Sequence, residues 1–259
     1  MRERTLMSAS RAIESETPDV SRFVLTLAGI ETPDGLFNPW RDVDVDWDVG
    51  RRAPCIRRAQ FALYLKMRLG HVDWLWVGEA LGYRGAHFSG VPFTSERMLL
   101  GHHPRVRPEM LIGRRGLRTS RADHPEIPGK TSRATRMMGF AEVSATVVWR
   151  AVLDNDLRPE RVLFFSAVPF HPYDVRRGTL SNRPPKKAEI HAALSLIRAL
   201  LDEIARHQEH DPRIVAVGNV GEYALQKLGL PYAKTAHPAQ GNAARFLAEM
   251  RRIVQGGKV

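Results

Sequence analysis

One cysteine, Cys55, is all that the 259 residues contain. That excludes an intrachain disulfide and any protein-only four-cysteine cluster, and it suits a reducing compartment. Cys55 itself reads as a small apolar residue at or near the interior. No apolar run approaches the roughly 20 residues that cross a bilayer. The opening MRERTLMSASRAIESETPDV lacks an apolar signal core, so a cytoplasmic protein is expected. A GxGxxG fingerprint, a Walker P-loop and a GxSxG elbow in the required context are also missing, which puts a nucleotide enzyme of Rossmann type last among the readings. His102, His103 and His124 have no cysteine or carboxylate at ligand spacing, so neither a metal nor another cofactor is expected. There is no internal repeat and no low-complexity segment.

Acidic residues are in the minority, and the formal net charge is +11. Such an excess favours salt-sensitive association with polyanions, nucleic acid above all. The excess is concentrated. Residues 101–140 hold Arg105, Arg107, Arg114, Arg115, Arg118, Arg121, Lys130, Arg133 and Arg136 against Glu109, Asp123 and Glu126. With its Gly and Pro content the stretch 101–136 reads as a long basic loop inserted in the domain, either a DNA-tracking surface or a solvated insertion.

Hydrophobic residues make up 43% of the chain, enough for one α/β domain spanning 1–259 with an N-terminal extension, 1–50. In that extension SRFVLTLAGI suits a short helix, DVDVDWDV a loop, and FNPW (37–40) either a cap on the sheet or part of a pocket rim. Residues 54–69 carry Ile56, Ala59, Leu63 and Met67 at helical spacing. Then come the apolar runs WLWVG (74–78), RVLFF (161–165), RIVAVG (213–218) and YAKTA (232–236), of a length and character that suit buried parallel strands. Helical patterns at 142–153, 186–206, 221–228 and 242–254 alternate with them. The expected fold is therefore α/β, with a parallel sheet and helices on both faces.

In such a sheet the ligand site lies beyond the carboxyl ends of the strands. Unusual residues cluster there. After the first strand comes GEALGYRGAHFSGVPFTSERMLL (78–100), where Gly78, Gly82 and Gly85 permit sharp turns and Glu79 stands at the strand mouth. After the second comes SAVPFHPYDVRRGTLSNRPPKKAE (166–189), an ordered loop with prolines around His171. After the last comes HPAQGN (237–242), whose free backbone N–H groups at a helix start suit a phosphate. Each segment alone has a bland structural explanation.

Together, in order, they resemble the uracil-DNA glycosylase superfamily. GEALGYRG with GVPFTSERMLL is similar to its first motif, most of all in the thermostable iron–sulfur branch, and HPAQGN to its second. SAVPFHP and NRPP are similar to the middle strand and loop, and RIVAVGNVGEYAL to the third strand and helix. The resemblance covers roughly 70–255. It implies a three-layer αβα fold with a central four-stranded parallel sheet, and hydrolysis of the bond between uracil, with other deaminated bases as further candidates, and deoxyribose after base flipping. By that resemblance Glu79 stabilises the oxocarbenium-like sugar and orients water, and His237 hydrogen-bonds uracil O2. Phe93 stacks on the flipped ring, and Gly78, Ala80, Ser166, His171 and Asn182 complete the base site, with backbone around Phe88. Arg84, Pro238, Gln240, Gly241 and Asn242 face DNA. DNA, single- or double-stranded, is the expected partner, and a monomer the expected state.

Four departures follow. The iron–sulfur cysteines are absent, so no cluster is expected. Ala80 stands where the common branch has an aspartate, leaving water activation to Glu79 or another group. Ser166 stands where an asparagine reads the base, which implies broadened specificity or rescue by His171 or Asn182. Gln240 is the largest residue of HPAQGN, so single strands are expected to be favoured. No lysine lies inside these motifs, Lys234 being the nearest, so a Schiff-base lyase step is not implied. The alternative to turnover is a module of the same superfamily that binds uracil or abasic DNA.

Overall fold

The computed structural model describes residues 18–256; the first 17 residues of the expected extension 1–50 lie outside them. The sheet is built from β1 (Trp74–Ala80), β2 (Val162–Val168), β3 (Arg213–Val217) and β4 (Ala233–Thr235). All pair in parallel, in the order β2-β1-β3-β4. Central β1 and its neighbour β2 are apolar on both faces because both faces are covered, as the continuous runs had implied.

The longer helices are α1 (Pro18–Gly29), α2 (Ala53–Lys66), α3 (Val143–Asp154), α4 (Lys187–His207), α5 (Gly218–Leu228) and α6 (Ala243–Val254). On one side Trp149 of α3 and Phe246 of α6 meet Phe164 and Trp76 of the sheet, at ring-centroid distances of 5.1 and 6.4 Å. On the other, Phe23 of α1 packs on Phe165. The arrangement is the expected three-layer αβα. No helix among the described residues is long and apolar enough to cross a membrane.

The outer edge of β2 is closed by side chains from the region of α2. Tyr64 Oη accepts from Phe164 N at 2.8 Å, and Arg68 Nε donates to the Val162 carbonyl at 2.8 Å. The Arg68 guanidinium lies over the Tyr64 ring, 3.7 Å from its centroid. These pairings explain how a fully buried arginine is tolerated.

FNPW does not reach a pocket rim. Leu36–Phe37 pairs antiparallel with His171–Pro172, and Trp40 is buried against Phe61 with Nε1 donating to the Gly90 carbonyl at 3.0 Å. The segment therefore supports the 78–100 region from behind. The acidic run is a loop, as expected, but two of its carboxylates turn inward. Asp48 takes two hydrogen bonds from buried Arg57, at 2.7 and 3.0 Å, and Asp44 lies 3.1 Å from His87 Nε2.

The basic stretch is likewise more ordered than a solvated loop. It contains helical turns at Pro108–Ile112 and Arg133–Met138 and buries Thr119, Ser120, His124 and Thr135. Fully buried Glu96 is the tie: Oε1 accepts from the backbones of Thr119 and Ser120 at 2.8 Å each, and Oε2 accepts from Ser120 Oγ at 2.5 Å and Phe140 N at 3.3 Å. Arg105 and Arg136 are engaged by Asp154 and Glu126. A periodicity reading misses this because short helical turns and a buried carboxylate leave no repeating apolar signal.

Candidate active site

A cavity of about 770 Å³ opens where all four strands end. Parallel register brings Gly78 beside Ser166, so the segments after β1 and β2 leave the sheet at the same level. Glu79 and Ala80 line the cavity from β1, Ser166 from β2, Gly218 and Asn219 from the turn after β3, and Ala236 and His237 from the turn after β4.

Phe93 forms one wall. Its ring packs edge-on to Phe164, with centroids 5.7 Å apart, so the core aromatic cluster sets its orientation. Its φ is +48°, a left-handed conformation that a bulky residue rarely adopts and that the surrounding packing must hold. The ring lies directly on Gly78: a β-carbon there would come 2.3 Å from Phe93 Cζ. Gly78 does not itself line the cavity; its lack of a side chain makes room for the ring that does.

His237 occupies the opposite segment. Gly218, at φ +83°, gives it space, since a β-carbon at 218 would lie 3.0 Å from His237 Cβ and 3.3 Å from Cδ2. The backbone N–H of Ala239 donates to His237 Nδ1 at 3.2 Å. That contact leaves Nε2 as the nitrogen carrying the proton in the neutral ring. Burial pushes the His237 pKa below the ordinary histidine value, so the neutral form dominates near pH 7. The imidazole is thus a neutral hydrogen-bond donor.

Burial acts on Glu79 in the opposite sense and raises its pKa above the usual carboxylate range. The next residue, Ala80, offers no second acid. Lys234, on the cavity wall, is held by Glu222 at 2.6 Å. The turn ahead of α6 is kept open by Gln240 and Gly241, both at positive φ, while Asn242 Nδ2 donates to the Ala239 carbonyl at 3.3 Å.

Arg84, Asn182, Gln240 and Asn242 also line the cavity, with Asn182 and Gln240 exposed. Pro238 is buried and Gly241 is exposed, and neither is part of the lining. Phe88 is buried behind it, stacked on Phe140 at 4.1 Å.

His171 is the clear correction. It is fully buried, with Nδ1 3.0 Å from the Leu81 carbonyl and Nε2 2.9 Å from the Thr179 carbonyl. Burial, followed by the proximity of His87, pushes its pKa down to about 3. It ties the first motif to the 166–189 loop and cannot rescue base reading for Ser166. The flanking prolines that marked an ordered loop were the right signal for a structural histidine.

Sequence reasoning missed Glu142, Asn219 and Arg245 on the lining. Glu142 precedes α3, where a glutamate reads as an ordinary helix-start carboxylate. Nothing in its local sequence marks it.

A parallel αβα sheet with a cavity at its carboxyl edge, walled by an aromatic ring, a half-buried acid and a neutral histidine, defines a class of ligand-binding α/β domains. Within that class, the family model of the uracil DNA glycosylase superfamily matches residues 68–255. The chain belongs to that superfamily. Curated proteins provide no match. Among solved structures, wild-type SMUG2 of Pedobacter heparinus is similar in fold, with a TM-score of 0.55 at 13% sequence identity, covering 92% of this chain and 96% of that one.

Proposed function

We propose that the chain is a monofunctional uracil-DNA glycosylase, a single domain that hydrolyses the N-glycosidic bond of a flipped deoxyuridine and leaves an abasic site. The observation that carries the reading is the meeting of Glu79, Phe93 and the donor nitrogen of His237 in one cavity at the strand ends.

Loss of the base builds positive charge on the sugar and negative charge on the departing ring. Ionised Glu79 stabilises the first and orients the attacking water. His237 Nε2–H donates to the base carbonyl on which the second develops, without giving up its proton. Phe93 supplies the flat apolar face against which the extruded base stacks. Ser166 and Ala80 border the base. Arg84 and the 238–242 turn hold DNA, with Gln240 as the residue placed to enter it. Water supplies hydroxide to the sugar carbon and a proton to the released base, so no further reactant is needed.

The chain acts, in this reading, as a cytoplasmic monomer on DNA in either strand state, and the net charge of +11 supports association with that polyanion. Lys234 is engaged by Glu222 rather than free as a nucleophile, in keeping with hydrolysis alone. The test is chromatographic detection of free uracil after incubation with single-stranded and duplex oligonucleotides carrying one deoxyuridine. Free uracil released by the protein is expected. Tight, uracil-dependent retention of DNA with no released base would instead make the chain a binding module.

A further inference from the structure

Three carboxylic acids line the cavity; the proposed hydrolysis uses only Glu79, and Glu249 accepts from the backbone N–H of Ala236 at 2.6 Å and from Arg245 Nε at 2.7 Å. The second, Glu142, is half-buried in the wall at the start of α3. Its carboxyl group rests on two glycines of the first motif. A β-carbon on Gly82 would come 1.7 Å from Oε1, and one on Gly85 would come 1.9 Å from Oε2. The glycine pair therefore does more than turn the chain: it forms a seat for a carboxyl group supplied from the start of α3, far along the sequence.

The polar groups facing Glu142 are the Ser144 hydroxyl, hydrogen-bonded to it, and the Arg84 cation. Arg84 keeps its own Nε buried without a partner, and Arg97 beside it is turned to the Gly139 carbonyl. Burial outweighs both neighbours and pushes Glu142 up to about 7, so its neutral form is abundant at and below neutral pH.

A neutral carboxylic acid presents an O–H donor and a C=O acceptor side by side, whereas a carboxylate only accepts. Uracil offers the complement: an N–H donor beside a C=O acceptor. Other planar groups of the lining are poorly placed for this task. Asn182, Asn219 and Gln240 are exposed, and Asn242 turns one of its two amide N–H groups to the Ala239 carbonyl. Buried Ser166 has a single hydroxyl.

We propose that Glu142, in its protonated form, is a base-reading residue of this cavity, pairing with the N–H/C=O lactam edge that uracil shares with other deaminated bases. The proposal rests on the glycosylase reading above and names the group that selects its substrate class. Protonated, Glu142 does for the base what a side-chain amide would do; ionised, it repels the base carbonyl and the pairing is lost.

The experiment measures two properties of wild type, Glu142→Gln and Glu142→Ala between pH 6 and 8.5. One is binding of an oligonucleotide carrying non-hydrolysable 2′-fluoro-2′-deoxyuridine, read by anisotropy against a thymidine control. The other is release of uracil from ordinary deoxyuridine. Wild-type uracil-dependent affinity is expected to fall about tenfold from pH 6 to pH 8, as one proton is lost. Glu142→Gln, which keeps a donor and an acceptor without titrating, is expected to bind with pH-independent affinity within several-fold of wild type at pH 6, and to show no loss of uracil release as pH rises. Glu142→Ala is expected to be weak throughout, with thermal melting confirming that both variants fold. If Glu142→Gln is as weak as Glu142→Ala, or keeps the wild-type pH slope, the assignment of Glu142 is overturned. Wild type that releases uracil with flat pH dependence overturns it alone; wild type that neither releases uracil nor prefers it in binding overturns the glycosylase reading as well.

Discussion

The Phe93 ring lies on the α-carbon of Gly78, so close that a β-carbon there would sit 2.3 Å from Phe93 Cζ. One residue at the end of the central strand thus places the wall against which a base would stack. Gly78→Ala is expected to displace the ring and lower uracil release by at least about tenfold, that is, by roughly 1.4 kcal/mol of lost transition-state binding. Phe93→Ala should weaken binding by the stacking contribution, about 1–3 kcal/mol. Single-turnover release and oligonucleotide binding measure the two effects, and full activity in Gly78→Ala would contradict the placement.

His237 acts as a neutral donor in this account, fixed by the N–H of Ala239 on Nδ1. Its pKa lies below the ordinary histidine value, so its charged form appears only in acid. Raising the pH through 6.5 should therefore cause no loss of activity attributable to His237. His237→Ala is expected to cost on the order of 10²–10³ in rate, the effect of losing a donor to a developing oxyanion. Rate–pH profiles of wild type and Glu142→Gln isolate the histidine, because the second lacks the titration of residue 142.

Glu96 carries a structural prediction. Its buried carboxyl group binds Thr119, Ser120 and Phe140 to the first motif. Glu96→Ala strands those donors and is expected to cost on the order of 3 kcal/mol, several degrees of melting temperature in a chain of this size. Limited proteolysis should then cut first within 101–140. Unchanged protection would mean that the basic stretch is held by other contacts.

The four parallel strands and the longer helices were legible because buried parallel strands are apolar on both faces and the helices carry a 3.6-residue period. That Glu79, Phe93 and His237 share one cavity was expected from motif context beyond the strand ends. Other features depend on what the fold brings together. His171 sits in a motif yet is used to join Leu81 to Thr179. Glu142 sits in no motif yet faces the cavity, because Gly82 and Gly85 leave room for it. Glycines in a sequence announce a turn; which side chain fills the space above them is settled only by tertiary structure.

Glu79 bears the central claim. Its pKa is raised by burial, and the reaction uses the carboxylate, so activity should fall as pH drops through a midpoint above the ordinary glutamate value. Stability moves the other way. A carboxyl group whose folded pKa is raised contributes stability fully present below its unfolded pKa and lost as pH rises through the folded one. Glu79→Gln should therefore melt at a higher temperature than wild type near pH 7, while losing activity.

The most direct measurement is alkali-revealed strand cleavage of labelled oligonucleotides carrying one uracil, single-stranded and paired with G or A, by wild type, Glu79→Gln and His237→Ala. The account predicts cleavage by wild type that collapses in both variants while their folds persist. Wild type that leaves uracil in place, or a Glu79→Gln variant that removes it at the wild-type rate, would contradict it.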